Sequence, residues 1–242
     1  MKIDSERLNL LNIGSIESKN LMEGLSVDLN ILLSNNLPDH QTIIFPEKMG
    51  ITKKMRLVAE SLYHRYGFKI FDHLLVQRSD TLRGIACFVL GGHSTLLAEK
   101  LNLIKPLADD NHFGVREWAW MALRENIAQE LGESLKMLEF WAEEGSEKIR
   151  RFASEATRPR GVWCAHIREL RAKPWLALNI LEALHNDSAK YVQLSVANWL
   201  NDAGKDHPVW VSQLCLQWQQ ISNTEHTKKI CKRALRNIKF PA

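Results

Sequence analysis

One short pattern returns along this chain at intervals set by a pair of helices. Leu82-Arg83-Gly-Ile-Ala86, Val115-Arg116-Glu-Trp-Ala119, Ile149-Arg150-Arg-Phe-Ala153 and Val192-Gln193-Leu-Ser-Val-Ala197 put apolar, long polar and small residues in one register. Thr227-Lys228-Lys-Ile-Cys231 is a fifth version, and successive copies start 33, 34, 43 and 35 residues apart. One helix pair cannot bury its own apolar stripe, but a stack of pairs can, so periods of this size mark an α-solenoid. The spacing predicts an all-α fold of HEAT-like helix pairs, curved, with 113–125, 147–158, 189–202 and 225–238 lining a concave binding face.

Apolar residues recur at i, i+3, i+4 and i+7 in window after window from 53–66 to 225–238, the mark of amphipathic helices. No alternating β-branched run bounded by turn residues is present. Residues 1–50 are different: Asn, Ser, Gly and Pro punctuate them, and only short helices are expected there. The expected division is an N-terminal segment, 1–50, and a repeat domain, 51–242. No apolar run approaches the roughly 20 residues of a membrane span, and no signal-peptide core opens the chain, so the expected location is cytoplasmic. The four cysteines, Cys87, Cys164, Cys215 and Cys231, form no C-x-x-C pair, which argues against a disulfide framework or a zinc site.

Charge is unevenly spread. Residues 1–145 carry 16 Lys+Arg against 20 Asp+Glu, whereas 146–242 carry 16 against 8. A localised basic field suits a polyanion, although a solvated basic surface gives the same count. The 43-residue interval falls in this half, and its surplus lies after Glu155 in Arg158-Pro-Arg160-Gly-Val-Trp163-Cys-Ala-His166. Pro159 stops the helix, and loop insertions in solenoids commonly fall on the binding face. On the preceding helix Arg151, Glu155 and Arg158 share a face by their i, i+4, i+7 spacing. Repeat register sets Glu117, Arg151 and Lys229 in one row. Met121, Glu155, Asn198 and Arg233 form a second, and Arg124, Arg158, Asn201 and Arg236 a third.

Three strings carry a resemblance: His112-Phe-Gly-Val-Arg116-Glu117-Trp118-Ala-Trp120, the R-R-F-A-S-E-A-T-R-P-R-G-V-W run from Arg150, and Tyr191-Val-Gln-Leu-Ser-Val-Ala-Asn198-Trp199-Leu-Asn201-Asp202. Over about residues 80–240 the chain resembles the AlkC/AlkD group of DNA alkylation-repair glycosylases, in a short form without an immunoglobulin-like domain. The resemblance implies a monofunctional glycosylase, working as a monomer on double-stranded DNA. It would excise cationic alkylated bases such as 3-methyladenine, 3-methylcytosine or 1-methyladenine, with no metal and no cofactor.

A cationic base is already a good leaving group, so the chemistry needs a carboxylate near an oxocarbenium-like sugar rather than strong acid catalysis. Glu117 and Glu155 are the candidates. For Glu155 the competing reading is a helix pair with Arg151, worth about 0.2–0.5 kcal/mol. Arg151, Arg158 and Arg160 suit phosphates, as planar bidentate donors do; solvated surface arginines are the alternative. Trp163 either stacks on sugar or base or packs back on the solenoid. Trp118 is expected in the core, Trp120 on either side, and Trp141, Trp199 and Trp218 in the core. Asn198, Lys205, Lys228, Lys229, Arg233 and Arg236 are expected at the DNA. His112 and His166 lie near these strings in sequence without a second ligand at metal spacing. Two other readings remain open: a HEAT-like protein that binds DNA without excising bases, and a protein-binding scaffold.

Overall fold

A computed structural model of the chain describes residues 3–37, 39–161 and 163–238. Among these residues there are helices and no strand, the all-α architecture that the repeat spacing requires. They form two compact units, Met1–Leu123 and Arg124–Ala242. The first opens with α1 (Ser5–Asn12), α2 (Leu21–Leu25) and α3 (Leu29–Asn36), followed by α4 (Ile51–Tyr66), α5 (Ile70–Leu75), α6 (Asp80–Gly92) and α7 (Leu97–Ala108). Helix α8 (Phe113–Gln129) begins in the first unit and ends in the second. The second continues with α9 (Leu131–Ala142), α10 (Glu147–Ala156), α11 (Arg168–Ala172), α12 (Leu178–Leu184), α13 (Lys190–Ala203), α14 (Pro208–Ile221) and α15 (Glu225–Ala234). Short 3₁₀ turns, Pro174–Ala177 and Leu235–Asn237, precede α12 and follow α15. The five pattern copies fall on α6, α8, α10, α13 and α15. In the second unit α10 packs on α13 and α13 on α15, with α9 and α12 behind them. Helix α11 has no counterpart in the helical windows read from the sequence; it follows the surplus residues of the third interval.

Each part of the repeated pattern has its own task. The apolar and small positions turn inward: Val115, Ala119, Ala153, Val192 and Ala197 are all 0 % exposed. Small residues there let neighbouring helices approach closely. Serine and threonine begin several of these helices by accepting from the first free amides: Ser79 from Leu82, Ser146 from Lys148 and Thr224 from Thr227.

The long polar residue clamps the turn before its own helix. An Nη of Arg83 donates to the carbonyls of Gln77 and Arg78, both at 2.8 Å, and its Nε reaches Asp110 at 2.8 Å. Arg150 repeats the arrangement with the carbonyls of Glu144 and Gly145 at 2.8 Å and Asp187 at 2.6 Å. Arg116 grips the carbonyls of Asp110 and Asn111, and Gln193 those of Asp187 and Ser188. In all four, the carbonyls belong to residues i−6 and i−5. A guanidinium has donors enough to close two carbonyls and still pin an aspartate in the following inter-repeat turn. Glutamine has one amide for the same task, and at Gln193 it also meets His226 Nδ1 at 3.1 Å.

The N-terminal helices are tied to the first unit by buried polar contacts. Ser18 donates to Asp80 through its amide at 3.0 Å and its hydroxyl at 2.7 Å. His112 Nε2 lies 2.7 Å from the Ser18 carbonyl, and its Nδ1 accepts from the Gly114 amide at 3.1 Å. Serine, histidine and aspartate thus meet without a nucleophile–base pair: the hydroxyl proton points at Asp80 and the imidazole proton at a carbonyl. Glu17 adds a 2.5 Å pair with Arg83.

Replacing Arg150 by alanine leaves two turn carbonyls and Asp187 without their donor, and should destabilise the protein by on the order of 3 kcal/mol. Arg150→Lys should recover less than half of this, because an ammonium lacks the planar fork. Urea unfolding followed by circular dichroism measures both; a loss below about 0.5 kcal/mol for alanine, the scale of an ordinary surface change, would count against the clamp.

Candidate functional site

Glu155 projects from α10 into a closed polar cluster with α13. Its side chain is 5 % exposed. One oxygen accepts from Arg158 at 2.6 Å and the other from the Ser195 hydroxyl at 2.6 Å, with Arg151 3.6 Å away. Ser195 in turn stands 2.8 Å from Ser154. Arg158 is held on its far side by Asp202, which accepts from Nε at 2.9 Å and from Nη2 at 2.7 Å. The Arg151 guanidinium lies 4.6 Å from the centre of the Tyr191 ring, within cation–π range. Residues 151 and 155 of α10, and 158 just past its end, are therefore matched by 191, 195 and 202 of α13. The helical spacing read from the sequence supplies one side of this ladder and α13 supplies the other.

Burial alone would push the Glu155 pKa up; the charges of Arg151 and Arg158 and the Ser195 and Arg158 hydrogen bonds overcome it and hold the carboxyl below its ordinary range. Burial likewise works against charge on Arg158, but Glu155 and Asp202 carry it above its usual value. Two carboxylates and two guanidiniums thus form a buried set without net charge. Removing one member of such a set typically costs about 3–5 kcal/mol, because its partner is left unpaired.

The loop after α10 is built around Arg124, which is 2 % exposed. Its guanidinium donates to the carbonyls of Ala156 at 3.0 Å, Arg158 at 2.5 Å and Ala165 at 3.0 Å. Gly161 lies against that guanidinium: a Cβ there would approach Arg124 Nε to 3.0 Å and collide with Cys164 Sγ. Trp163 follows with φ at 61° and half of its surface exposed, so it does not pack back into the core. Arg160 and Arg171 both hold Asp206, at 2.8–2.9 Å and 3.0 Å. These side chains are 22 %, 36 % and 24 % exposed, and exposed ion pairs of this kind are worth about 0–1 kcal/mol.

The arginines read as phosphate ligands are thus all engaged with acids: Arg151 and Arg158 inside, Arg160 near the surface. The sequence reading missed these partners because Asp202 and Asp206 lie more than forty residues away. Lys205 pairs with Asp202 at 3.2 Å. Asn198 accepts from Arg236 at 3.1 Å. Asn201 donates to the Ala234 carbonyl at 2.8 Å, linking α13 to the end of α15. Lys229 and Arg233 are exposed on α15 with Lys232, and none of the three has an ion pair among the described residues. Glu117 belongs to the first unit, is half-buried, and accepts from Trp120 Nε1 at 2.8 Å.

The tryptophan assignment needs one correction. Trp120 is 2 % exposed and Trp118 is the less buried of the two, lying against Phe88 and Gly84. Glycine at 84 leaves room for the Trp118 indole beside α6. Trp141, Trp199 and Trp218 are core residues, at 7 %, 0 % and 0 %. His112 serves the N-terminal anchor. Among the described residues, no group of three or more His, Cys, Asp or Glu side chains is placed to hold a metal ion. No described helix is long and apolar enough to cross a membrane.

The helical-repeat fold is that of the AlkC and AlkD proteins. The structure of Pseudomonas fluorescens alkylpurine DNA glycosylase AlkC, bound to DNA containing an abasic site analog, matches with a TM-score of 0.66 and 24 % identity, over 96 % of this chain and 62 % of that one. AlkD2 from Streptococcus mutans matches with a TM-score of 0.66 and 21 % identity, over 85 % of this chain and 97 % of that one. In sequence, the uncharacterized Bacillus subtilis protein YhaZ is 31 % identical over 198 residues, covering 80 % of this chain and 54 % of YhaZ. The chain thus spans under two thirds of the length of YhaZ and of AlkC. No family model matches it.

The Glu155 cluster carries a pH signature. A carboxyl whose folded pKa lies below its unfolded value, about 4.3, contributes stability that is complete above the unfolded value. That stability disappears as pH falls through the folded one. Glu155→Gln should therefore be less stable than the parent at pH 7, and the gap should close as the pH drops below about 4. Urea midpoints measured down to pH 3 test this; a gap independent of pH would mean the carboxylate is not held by its arginines.

Proposed function

We propose that this protein is a DNA glycosylase that hydrolyses the N-glycosidic bond of cationic alkylated bases, of the 3-methyladenine, 3-methylcytosine and 1-methyladenine class. The observation that carries the reading is an ionised, buried carboxylate, Glu155, fixed among arginines beside a loop that exposes a tryptophan. The AlkC-like fold supports it. As the C1′–N bond breaks, its electron pair leaves with the base, which becomes neutral, and positive charge moves to the sugar. A fixed carboxylate stabilises that charge without reorganising. Water then adds at C1′ and loses a proton, leaving free base and an abasic site. Repeat register in the sequence adds Glu117 as a second carboxylate for this work. Arg151 and Arg158 act here by holding Glu155, while the exposed Lys205, Lys229, Arg233 and Arg236, with Asn198, meet the DNA backbone. Trp163 stacks on the sugar or the cationic base.

A second reading is favoured by one observation: both oxygens of Glu155 already have partners. On that reading the protein binds DNA and excises nothing.

Single-turnover incubation with a duplex carrying one 3-methylcytosine or 3-methyladenine separates the two. The parent should release free base. Glu155→Gln and Glu117→Gln should each bind the duplex about as well and release base on the order of 10²–10³-fold more slowly. Binding without release by the parent establishes the second reading, and near-parental rates in both variants remove these glutamates from catalysis.

A further inference from the structure

The two arginines on Asp206 stand apart from the buried set. Asp206 follows α13 and accepts four hydrogen bonds, two from Arg160 and two from Arg171. A carboxylate with four donors on it is close to saturated, yet the guanidiniums have more to give. Arg160 Nε is buried with no acceptor among the described residues. The other amino group of Arg171 finds only His166 Nδ1, at 3.5 Å. Two positive charges face one negative charge, and the surplus is felt nearby: burial, then Arg160 and Arg171, hold the His166 pKa below its ordinary value. The exposed Trp163 lies between Arg160 and His166 in the same loop.

We propose that Arg160 and Arg171 form a binding site for a backbone phosphate of DNA, closed in the free protein by the carboxylate of Asp206. The assignment rests on the reading that the protein binds DNA, and adds Arg171 and the Asp206 latch to it. Carboxylate and phosphodiester both accept bidentate guanidinium forks, so one replaces the other without rebuilding the site. A phosphate also brings more acceptor lone pairs to an arrangement that lacks acceptors. Exchange is easy here because the pair is exposed to water, whereas Arg158 is enclosed between two buried acids. Pro159 and Arg124 fix the backbone on which Arg160 sits: the Pro159 carbonyl accepts from Ile167 at 3.1 Å and Arg124 closes the Arg158 carbonyl. Arg160 therefore follows backbone already held at residues 158 and 159, independently of Asp206.

Fluorescence anisotropy with a labelled undamaged duplex, titrated over a series of salt concentrations, tests the site. Arg171→Ala should weaken binding and reduce the slope of log K against log salt by about 0.9, the value of one phosphate contact. Asp206→Asn, by removing the competing anion, should tighten binding about two- to fivefold, a rough figure for releasing one exposed ion pair. That gain should vanish in an Arg160→Ala/Arg171→Ala background, since the two act through one contact. Glu169→Gln, an acid of α11 without a latch, should give a smaller gain. Melting curves accompany each variant; Arg171 lies at the surface, so its slope decides even where Asp206→Asn folds poorly. An unchanged slope for Arg171→Ala overturns the assignment alone. So does a gain for Asp206→Asn that persists without the arginines or is matched by Glu169→Gln. A parent that binds no duplex overturns the DNA reading and the assignment with it.

Discussion

Stacked helix pairs need the turn that leads into an inner helix to be closed, and before α6, α8, α10 and α13 a single side chain closes it. Arg83, Arg116 and Arg150 each grip the two carbonyls five and six residues before them, and Arg83 and Arg150 also seize an aspartate in the next inter-repeat turn. This joins local geometry to repeat spacing. The same guanidinium that ends a turn fixes where the next one comes. Where such a carbonyl is shielded from water, leaving it unclosed would forfeit about 1–3 kcal/mol, a large share of what separates a folded domain from an unfolded one. The apolar and alanine positions of the pattern can pack closely because this backbone is held in register.

The cluster around Glu155 inherits that register. With α10 and α13 aligned, Arg151 and Glu155 of one helix and Arg158 just past its end meet partners on the other, and a buried charge finds two arginines and a serine. Under the proposed function, association and chemistry would be divided between different groups. The buried set has no net charge and would project little field, so attraction of a polyanion would fall to the exposed cations of α15 and to the surplus beside Asp206. Changes on α15 would then alter the rate of encounter and its salt dependence, and changes in the buried set the charge at the sugar.

Much of this fold is legible in the sequence because the repeat is written in small apolar residues at helical spacing. The five copies locate α6, α8, α10, α13 and α15 within a few residues. The i, i+4, i+7 face of Arg151, Glu155 and Arg158 is legible too, being local. What is not legible is where a long side chain spends its charge. Arg158 and Arg160 read as phosphate ligands, and their acids Asp202 and Asp206 sit in a run, Asn201-Asp202-Ala-Gly-Lys-Asp206, far along the chain. Two aspartates four residues apart, one at the end of an inner helix and one just past it, were the available signal. The order of Trp118 and Trp120 was missed for another reason: the pattern places Trp118 inward only if its neighbour offers a full-sized side chain, and Gly84 instead makes a groove for it beside α6.

Gly161 shows how far one missing atom reaches. Its backbone φ is ordinary, so conformation does not demand glycine; the guanidinium of Arg124 and the sulfur of Cys164 do, by occupying the volume where a methyl group would lie. Arg124 in turn closes three carbonyls of the loop. Positions 124 and 161 are therefore not free to drift separately. A larger residue at 161 would meet the Cys164 sulfur first and the arginine next, so room for it opens only where both give way. Positions 124, 161 and 164 should therefore change in concert among descendants of this chain, a dependence written in excluded volume rather than in any bond between them.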